Sequence, residues 1–172
     1  KYVLFFTKQG LVKKTKLEEY INTKKATGIQ AIKIKDGDEI ANVTFVKDEE
    51  LLVVTKHGYA IHFTSSDIAP IGRVAAGVKS IKLELKDEVI VGLPINPNTH
   101  KDLAIFSKNG LSKKTSISEY PVQGRAGRGI LTYKPNAQTG EVVAAVLVND
   151  NNNLLLSGTP SSICISASDI PE

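Results

Sequence analysis

The sequence predicts an all-β fold: a propeller-like stack of four-stranded antiparallel blades, three complete and part of a fourth, in 172 residues. Three observations carry that expectation. A seven-residue motif recurs, as Leu4-Phe-Phe-Thr-Lys-Gln-Gly10, Leu52-Val-Val-Thr-Lys-His-Gly58, Ala104-Ile-Phe-Ser-Lys-Asn-Gly110 and a worn Leu154-Leu-Leu-Ser-Gly-Thr-Pro160. The offsets are 48, 52 and 50 residues, the size of one four-stranded blade. A second motif rides on the same period: Lys24-Lys-Ala-Thr-Gly28, Arg73-Val-Ala-Ala-Gly77 and Arg125-Ala-Gly-Arg-Gly129, each followed by an apolar residue. Finally, no stretch keeps helical spacing for three turns, and Lys16 to Tyr20 is one turn at most.

The elements of a unit follow in order. Leu4 to Thr7 is apolar and β-prone, and Lys8-Gln9-Gly10 is a hairpin turn with glycine where positive φ is needed. Residues 11–16 return as the second strand. A polar loop leads to the basic/glycine element. Ile29, Ala31, Ile32 and Ile34 then mark a third strand over 29–34, and Ile40 to Val46 a fourth. An acidic element precedes the last strand in each unit: Asp38-Glu-Ile40, Asp87-Glu-Val89 and Gly140-Glu-Val142. The units span about 1–48, 49–100, 101–150 and 151–172, the fourth stopping before its basic/glycine loop. Units one and three share Lys-Lys-Thr and Glu-Tyr, while units two and four share Asp67-Ile68 and Asp169-Ile170, so adjacent units alternate in type. Blades stack to bury their faces, and a chain without methionine reads as an excerpt from a longer one.

Composition excludes several classes. One cysteine, Cys164, rules out a disulfide framework and a cysteine-based zinc site, and fits a reducing cytosol. Between two isoleucines it is expected in the core. The longest apolar run, Val142 to Val148, falls far short of the roughly 18 residues of a membrane span. Lys1-Tyr-Val-Leu opens directly on strand-like sequence, so no secretory signal is expected. The net charge is only +4, but it is unevenly placed. Residues 1–35 hold nine lysines against two acids, 36–70 two basic residues against seven acids, 101–135 seven basic against two acids, and 136–172 four acids alone. Such alternation can become separate faces in the fold.

The basic residues that recur at the repeat interval are Lys13, Lys14, Lys24, Lys25, Arg73, Lys79, Lys113, Lys114, Arg125 and Arg128. Like positions on successive blades would make them a basic rim for a phosphate backbone, whose counterions Lys and Arg displace whatever the sequence. Nearby glycines would let the main chain approach phosphates. No aromatic residues interleave with them as in single-strand binders, since Phe5, Phe6 and Phe106 lie within apolar strands. The expected ligand is double-stranded DNA without sequence preference. The bland alternative is a set of solvated surface lysines.

Three motifs in order and at one period resemble the C-terminal domain of the A subunit of bacterial DNA gyrase; the paralogous A subunit of topoisomerase IV is the nearest relative. They are Phe-Phe-Thr-Lys-x-Gly-x-x-Lys-Lys-Thr, Gly-Arg-x-Ala-x-Gly-Val-Lys-x-Ile over 72–81, and Gln-Gly-Arg-Ala-Gly-Arg-Gly over 123–129. The resemblance covers essentially residues 1–172 and implies a β-pinwheel, in which neighbouring blades exchange a strand. It implies a non-catalytic DNA-binding, DNA-wrapping module, serving negative supercoiling in gyrase or substrate choice in topoisomerase IV. The family's hallmark box is Gln-basic-basic-Gly-Gly-basic-Gly. Gln123, Arg125, Gly127, Arg128 and Gly129 match it, while Gly124 replaces a basic residue and Ala126 a glycine. The loop is thus a degenerate copy, and a full box is expected outside this excerpt. Gly127 or Gly129 is expected at positive φ, holding Arg125 and Arg128 outward. The resemblance further implies a catalytic tyrosine, ATP and Mg on other domains, with no cofactor bound here. The implied partners are the remainder of the same subunit, plus the ATPase B subunit. The implied location is the bacterial cytoplasm and nucleoid.

Other chemistry is weaker. The Gly-rich stretch 124–129 lacks the Gly-Lys-Ser/Thr ending of a phosphate loop. His57, His62 and His100 have no ligand spacing, and His57 fills the variable slot of a turn. Tyr20 and Tyr120 are repeat-equivalent and so read as structural, and no catalytic set has a local signature. No metal site is expected. The acids Asp36, Asp38, Glu39, Asp48, Glu49, Glu50, Asp87 and Glu88 read as solvated turn residues lying away from the basic rim. A propeller scaffold for protein partners is the remaining alternative, separable from a DNA rim by its weaker salt dependence.

Overall fold

The computed structural model describes residues 1–21, 23–159 and 161–172, so Pro160 at the end of the fourth motif copy lies outside the described residues. Among the described residues, thirteen strands form four antiparallel sheets, joined by turns, one helical turn at Glu18–Ile21 and single 3-10 turns. The first sheet holds β1 (Tyr2–Thr7), β2 (Leu11–Lys16) and β3 (Ile40–Val46) of unit one. Its fourth strand is β6 (Val78–Lys79), which comes from unit two. The second sheet holds β4 (Glu50–Thr55), β5 (Tyr59–Thr64) and β7 (Val89–Pro94), completed by β10 (Ile130–Leu131) from unit three. The third holds β8 (Asp102–Ser107), β9 (Ser112–Ser116) and β11 (Val142–Val148), and the fourth is the hairpin of β12 (Asn153–Ser157) and β13 (Ser162–Ser166). Each fourth strand is therefore lent by the following unit.

That exchange corrects one element. Among the described residues, the predicted strand over 29–34 pairs with no other strand. Its counterparts, β6 and β10, join the preceding unit's return strand, so this element belongs to a neighbouring unit's sheet and not to its own. The segment instead lays Ile32 against Val3 and Phe5.

The strands β1, β4 and β8 are buried on both faces, so successive residues of one strand serve different cores. Leu51 and Val53 meet Leu4, Phe6 and Val12 between the first and second sheets. Leu52 and Val54 meet Leu103, Ile105 and Tyr120 between the second and third. Fully burying a side chain such as Phe6 contributes about 1.5–3 kcal/mol. Its ring lies so close to Gly92 of β7 that a Cβ there would come within 2.4 Å.

In the fourth hairpin β12 is shifted by one residue from its sequence alignment, while β13 keeps the alignment of Ile163 with Ile61. The strands close at Asn153↔Ser166, as the second unit's close at Glu50↔Thr64. Counted from that end, Leu155 and Cys164 occupy the places of Leu52 and His62, and Leu154 that of Leu51. A slip of one residue exchanges the faces. Leu154 and Ile165 consequently pack with Ala104. Leu155 is 72% exposed, and Cys164, expected in the core, is exposed as well.

The turns explain two repeats. Thr7 Oγ1, Thr55 Oγ1 and Ser107 Oγ each accept the N–H four residues on, at 3.1 Å, which fixes the hydroxyl before every Lys-x-Gly. Asp38 Oδ1 accepts from Gln9 N–H and Asp87 Oδ1 from His57 N–H, both at 2.9 Å. These two carboxylates are buried turn caps rather than solvated acids. Lys8–Glu39 and Lys56–Glu88 ion pairs flank them.

Candidate nucleic-acid interface

The exchanged strands create seams between units, and the basic residues divide sharply between those inside the seams and those outside. Lys13 is fully buried. Its ammonium donates to Ala31 O at 2.6 Å, to Arg73 O and to Tyr20 Oη at 3.3 Å, and lies over the Phe5 ring. Burial pulls its pKa from 10.5 to about 8. Lys14, also lowered by burial, donates to Ser65 O at 2.9 Å above the Tyr2 ring. Lys114 is buried against Asp150 at 2.9 Å, whose hydrogen bond raises its pKa. Lys113 is half-buried and donates to Thr132 O at 3.0 Å.

Lys13, Lys14 and Lys114 therefore lie in the interior and not on the rim, and Lys113 spends its ammonium on a neighbouring backbone oxygen. The pleat turns adjacent strand residues to opposite faces. Hence Lys13 and Lys14 brace different neighbours. In unit two the Lys14 position is His62, whose Nδ1–H donates to Tyr120 O at 2.7 Å while Nε2 lies 2.9 Å from Glu50. Tyr20 and Tyr120 brace the same way: their hydroxyls engage Ala31 O and Thr132 Oγ1.

Arg73 and Arg125 clasp the seams. Arg73 Nη1 donates to Gln30 O at 2.7 Å, and Arg125 Nη1 donates to the equivalent Lys79 O. Both are half-buried. Lys24, Lys25, Lys79 and Arg128 are exposed as expected.

The sequence reading missed Lys33, Lys82 and Lys134. Each stands five residues after the motif glycine (Gly28, Gly77, Gly129), which is a signal the repeat alignment contained, and each is exposed. Two are pinned to the next loop by the same backbone bond: Lys33 N–H to Ala75 O at 3.1 Å and Lys82 N–H to Gly127 O at 2.8 Å. At the seam of units two and three, Lys79, Lys82, Arg125 and Arg128 thus come together. Beside them runs an open groove of about 830 Å³, with Lys56 and Lys86 but also Glu84, Asp87 and Glu88 on its walls, so Asp87 and Glu88, expected away from the basic rim, lie next to it.

The 123–129 loop is held by backbone bonds. Gln123 N–H donates to His62 O and Ala126 N–H to Ser80 O, at 2.9 and 2.8 Å. Gly129 has φ +77°, as expected of it or Gly127. Ala126, standing where the box has glycine, also lies at φ +70°. Ala126→Gly should relieve up to about 1 kcal/mol of strain and raise the midpoint of a thermal melt by about 2–4 °C; an unchanged or lowered midpoint refutes the assignment.

The arrangement is suited to meeting phosphates. Among the described residues no group of three or more His, Cys, Asp and Glu side chains is placed to hold a metal ion.

The sequence profile of the family "DNA gyrase C-terminal domain, beta-propeller" matches residues 1–47, 49–96 and 101–149. The chain is 37% identical to the DNA gyrase A subunit of Helicobacter pylori over 172 residues, covering 98% of this chain and 21% of that protein. It is 35% identical to the DNA gyrase A subunit of Mycolicibacterium smegmatis over 156 residues, 89% of this chain and 18% of that protein. Among solved structures, a C-terminal domain of DNA topoisomerase IV superposes with a TM-score of 0.91 at 28% identity, over 98% of this chain and 53% of that one. A DNA gyrase A C-terminal domain superposes with a TM-score of 0.89 at 27% identity, over 99% and 57%. The chain thus spans about a fifth of these curated relatives and just over half of the solved domains.

Proposed function

Since the chain belongs to the DNA gyrase C-terminal domain, beta-propeller family, we propose that it is a non-catalytic module that holds and bends duplex DNA for a bacterial type II topoisomerase, gyrase in particular. One observation carries the DNA reading: exposed lysines recur five residues after each motif glycine, and two of the three, Lys33 and Lys82, are tied to the next unit's loop by the same backbone bond. Lys24, Lys25, Lys33, Lys79, Lys82, Arg128 and Lys134 supply charge at intervals along the repeat. Rigidly spaced cations match a regular line of phosphates without reading bases. Relatives at 35–37% identity that are named as A subunits of DNA gyrase support gyrase over topoisomerase IV. On this reading strand cleavage, ATP and Mg belong to the other domains of the enzyme and to its ATPase partner, and the enzyme works in the bacterial cytoplasm at the nucleoid.

The test neutralises exposed cations only. Lys82→Gln with Arg128→Gln should weaken binding to unrelated duplexes alike. It should also lower the slope of log K against log salt by about 0.9 per lost phosphate contact, while the melting curve stays put. Unchanged affinity at low salt would remove this seam from the interface.

A further inference from the structure

Arg128 does not stand free. Its Nη2 lies 3.5 Å from Glu84 Oε1, and the same oxygen accepts the Tyr59 hydroxyl at 3.1 Å. The pair is specific to one seam. Seven residues after the motif glycine the units carry Lys35, Glu84 and Asn136, and one residue before it Thr27, Ala76 and Arg128. The only unit of the three with a cation beside its glycine is thus preceded by the only unit with a carboxylate at the facing place. Arg128 remains exposed within this pair, so an incoming anion can reach it. Tyr59 belongs to β5, the strand that receives β10, and so fixes the carboxylate from the rigid side of the seam. A carboxylate held there is a stand-in for phosphate: it offers the guanidinium the same charge-assisted bond.

Resting on the DNA reading above, we propose that Glu84 is an affinity-setting residue, an internal competitor that must release Arg128 before that arginine engages a DNA phosphate. The exchange makes the seam a weaker phosphate site than its charge implies, and tunes how firmly this part of the rim holds duplex. Tyr59 supports it by keeping the carboxylate in place, and its own pKa is raised chiefly by that hydrogen bond.

The test uses the intact chain and random-sequence duplex. Glu84→Gln should tighten binding about two- to fivefold, the scale of an exposed ion pair. Tyr59→Phe should give part of that gain. In an Arg128→Gln background the gain from Glu84→Gln should largely vanish, because the competitor then has nothing to withhold. Thermal melts of the variants should be unchanged, as the pair is at the surface. No gain from Glu84→Gln, or an equal gain in both backgrounds, overturns the proposal and leaves Glu84 a spectator or a remote charge. If Arg128→Gln weakens binding while Glu84→Gln does nothing, only the competitor role falls. If the unaltered chain does not bind duplex, the DNA reading falls and takes this role with it.

Discussion

Gly129→Ala is expected to lose about 3 kcal/mol of stability, from two causes acting together. At φ +77° an L side chain is strained by about 1–2 kcal/mol. In addition its Cβ would come within 2.4 Å of Ala60 O, a main-chain atom of β5 that cannot swing away. Relieving that overlap must push the exchanged strand off β5, at a further cost of about 1–3 kcal/mol. For a chain of this size the melting midpoint should fall by about 6–12 °C. Two comparisons separate the causes. Gly28 shares the positive φ but faces open space, so Gly28→Ala should lose only about 1 kcal/mol. Gly124 has neither constraint, and Gly124→Ala should stay within about 0.5 kcal/mol. Equal losses at Gly129 and Gly28 would show that the close approach to β5 does not matter. The Gly129 variant should also bind duplex more weakly with no charge removed, because the loop carrying Arg128 leads straight into β10.

Lys13→Met should cost about as much, roughly 3 kcal/mol, although it exchanges a charge for an apolar chain of similar length. The ammonium has three N–H groups and three acceptors; its removal takes the ammonium donor from Arg73 O and leaves Ala31 O with the Tyr20 hydroxyl alone, while the apolar replacement is packed against these polar atoms inside the protein. Lys24→Met, on an exposed residue, should change stability by less than about 0.5 kcal/mol. The Lys13 contribution also depends on pH. Burial lowers its folded pKa to about 8, below the value of 10.5 outside the fold. Below about pH 8 both states hold the proton and the burial cost is felt in full. Between about 8 and 10.5 the folded state has released the proton while the unfolded chain keeps it, so stability from this group rises with pH. The melting gap between the parent and Lys13→Met should therefore widen from about pH 7 to about pH 9.5. A gap that narrows over that range would mean that Lys13 keeps its proton.

The basic motifs show where reading by repeat succeeds and where it stops. Recurrence singled out Lys13, Lys14, Lys113 and Lys114 because they are periodic, yet periodicity marks any position with a fixed role, and theirs is to brace seams. The same period contained Lys33, Lys82 and Lys134, which lack a conspicuous neighbouring motif and were passed over. The acidic repeats behaved similarly: Asp38 and Asp87 recur because each caps a turn, not because acids are loosely tolerated there.

By itself the sequence determined the all-β class, the 50-residue period, the hairpin turns and the family, since each of these rests on local patterns: alternating apolar residues, a hydroxyl and a glycine at fixed spacing, a loop of glycine and arginine. Only the tertiary structure decided which unit owns a strand, which lysines face water, and that Leu155 and Cys164 lie outside. Those outcomes depend on partners in neighbouring units, as in the pairings Val12↔Val78 and Ile130↔Ala60. The fourth strand of each complete sheet is bonded to the preceding unit, and a one-residue shift in β12 turns Leu154 and Leu155 to opposite faces from those their motif positions imply. A lysine is polar in any sequence, but it is buried when three carbonyl and hydroxyl oxygens from two units converge on its ammonium, and that convergence exists only once the units are stacked.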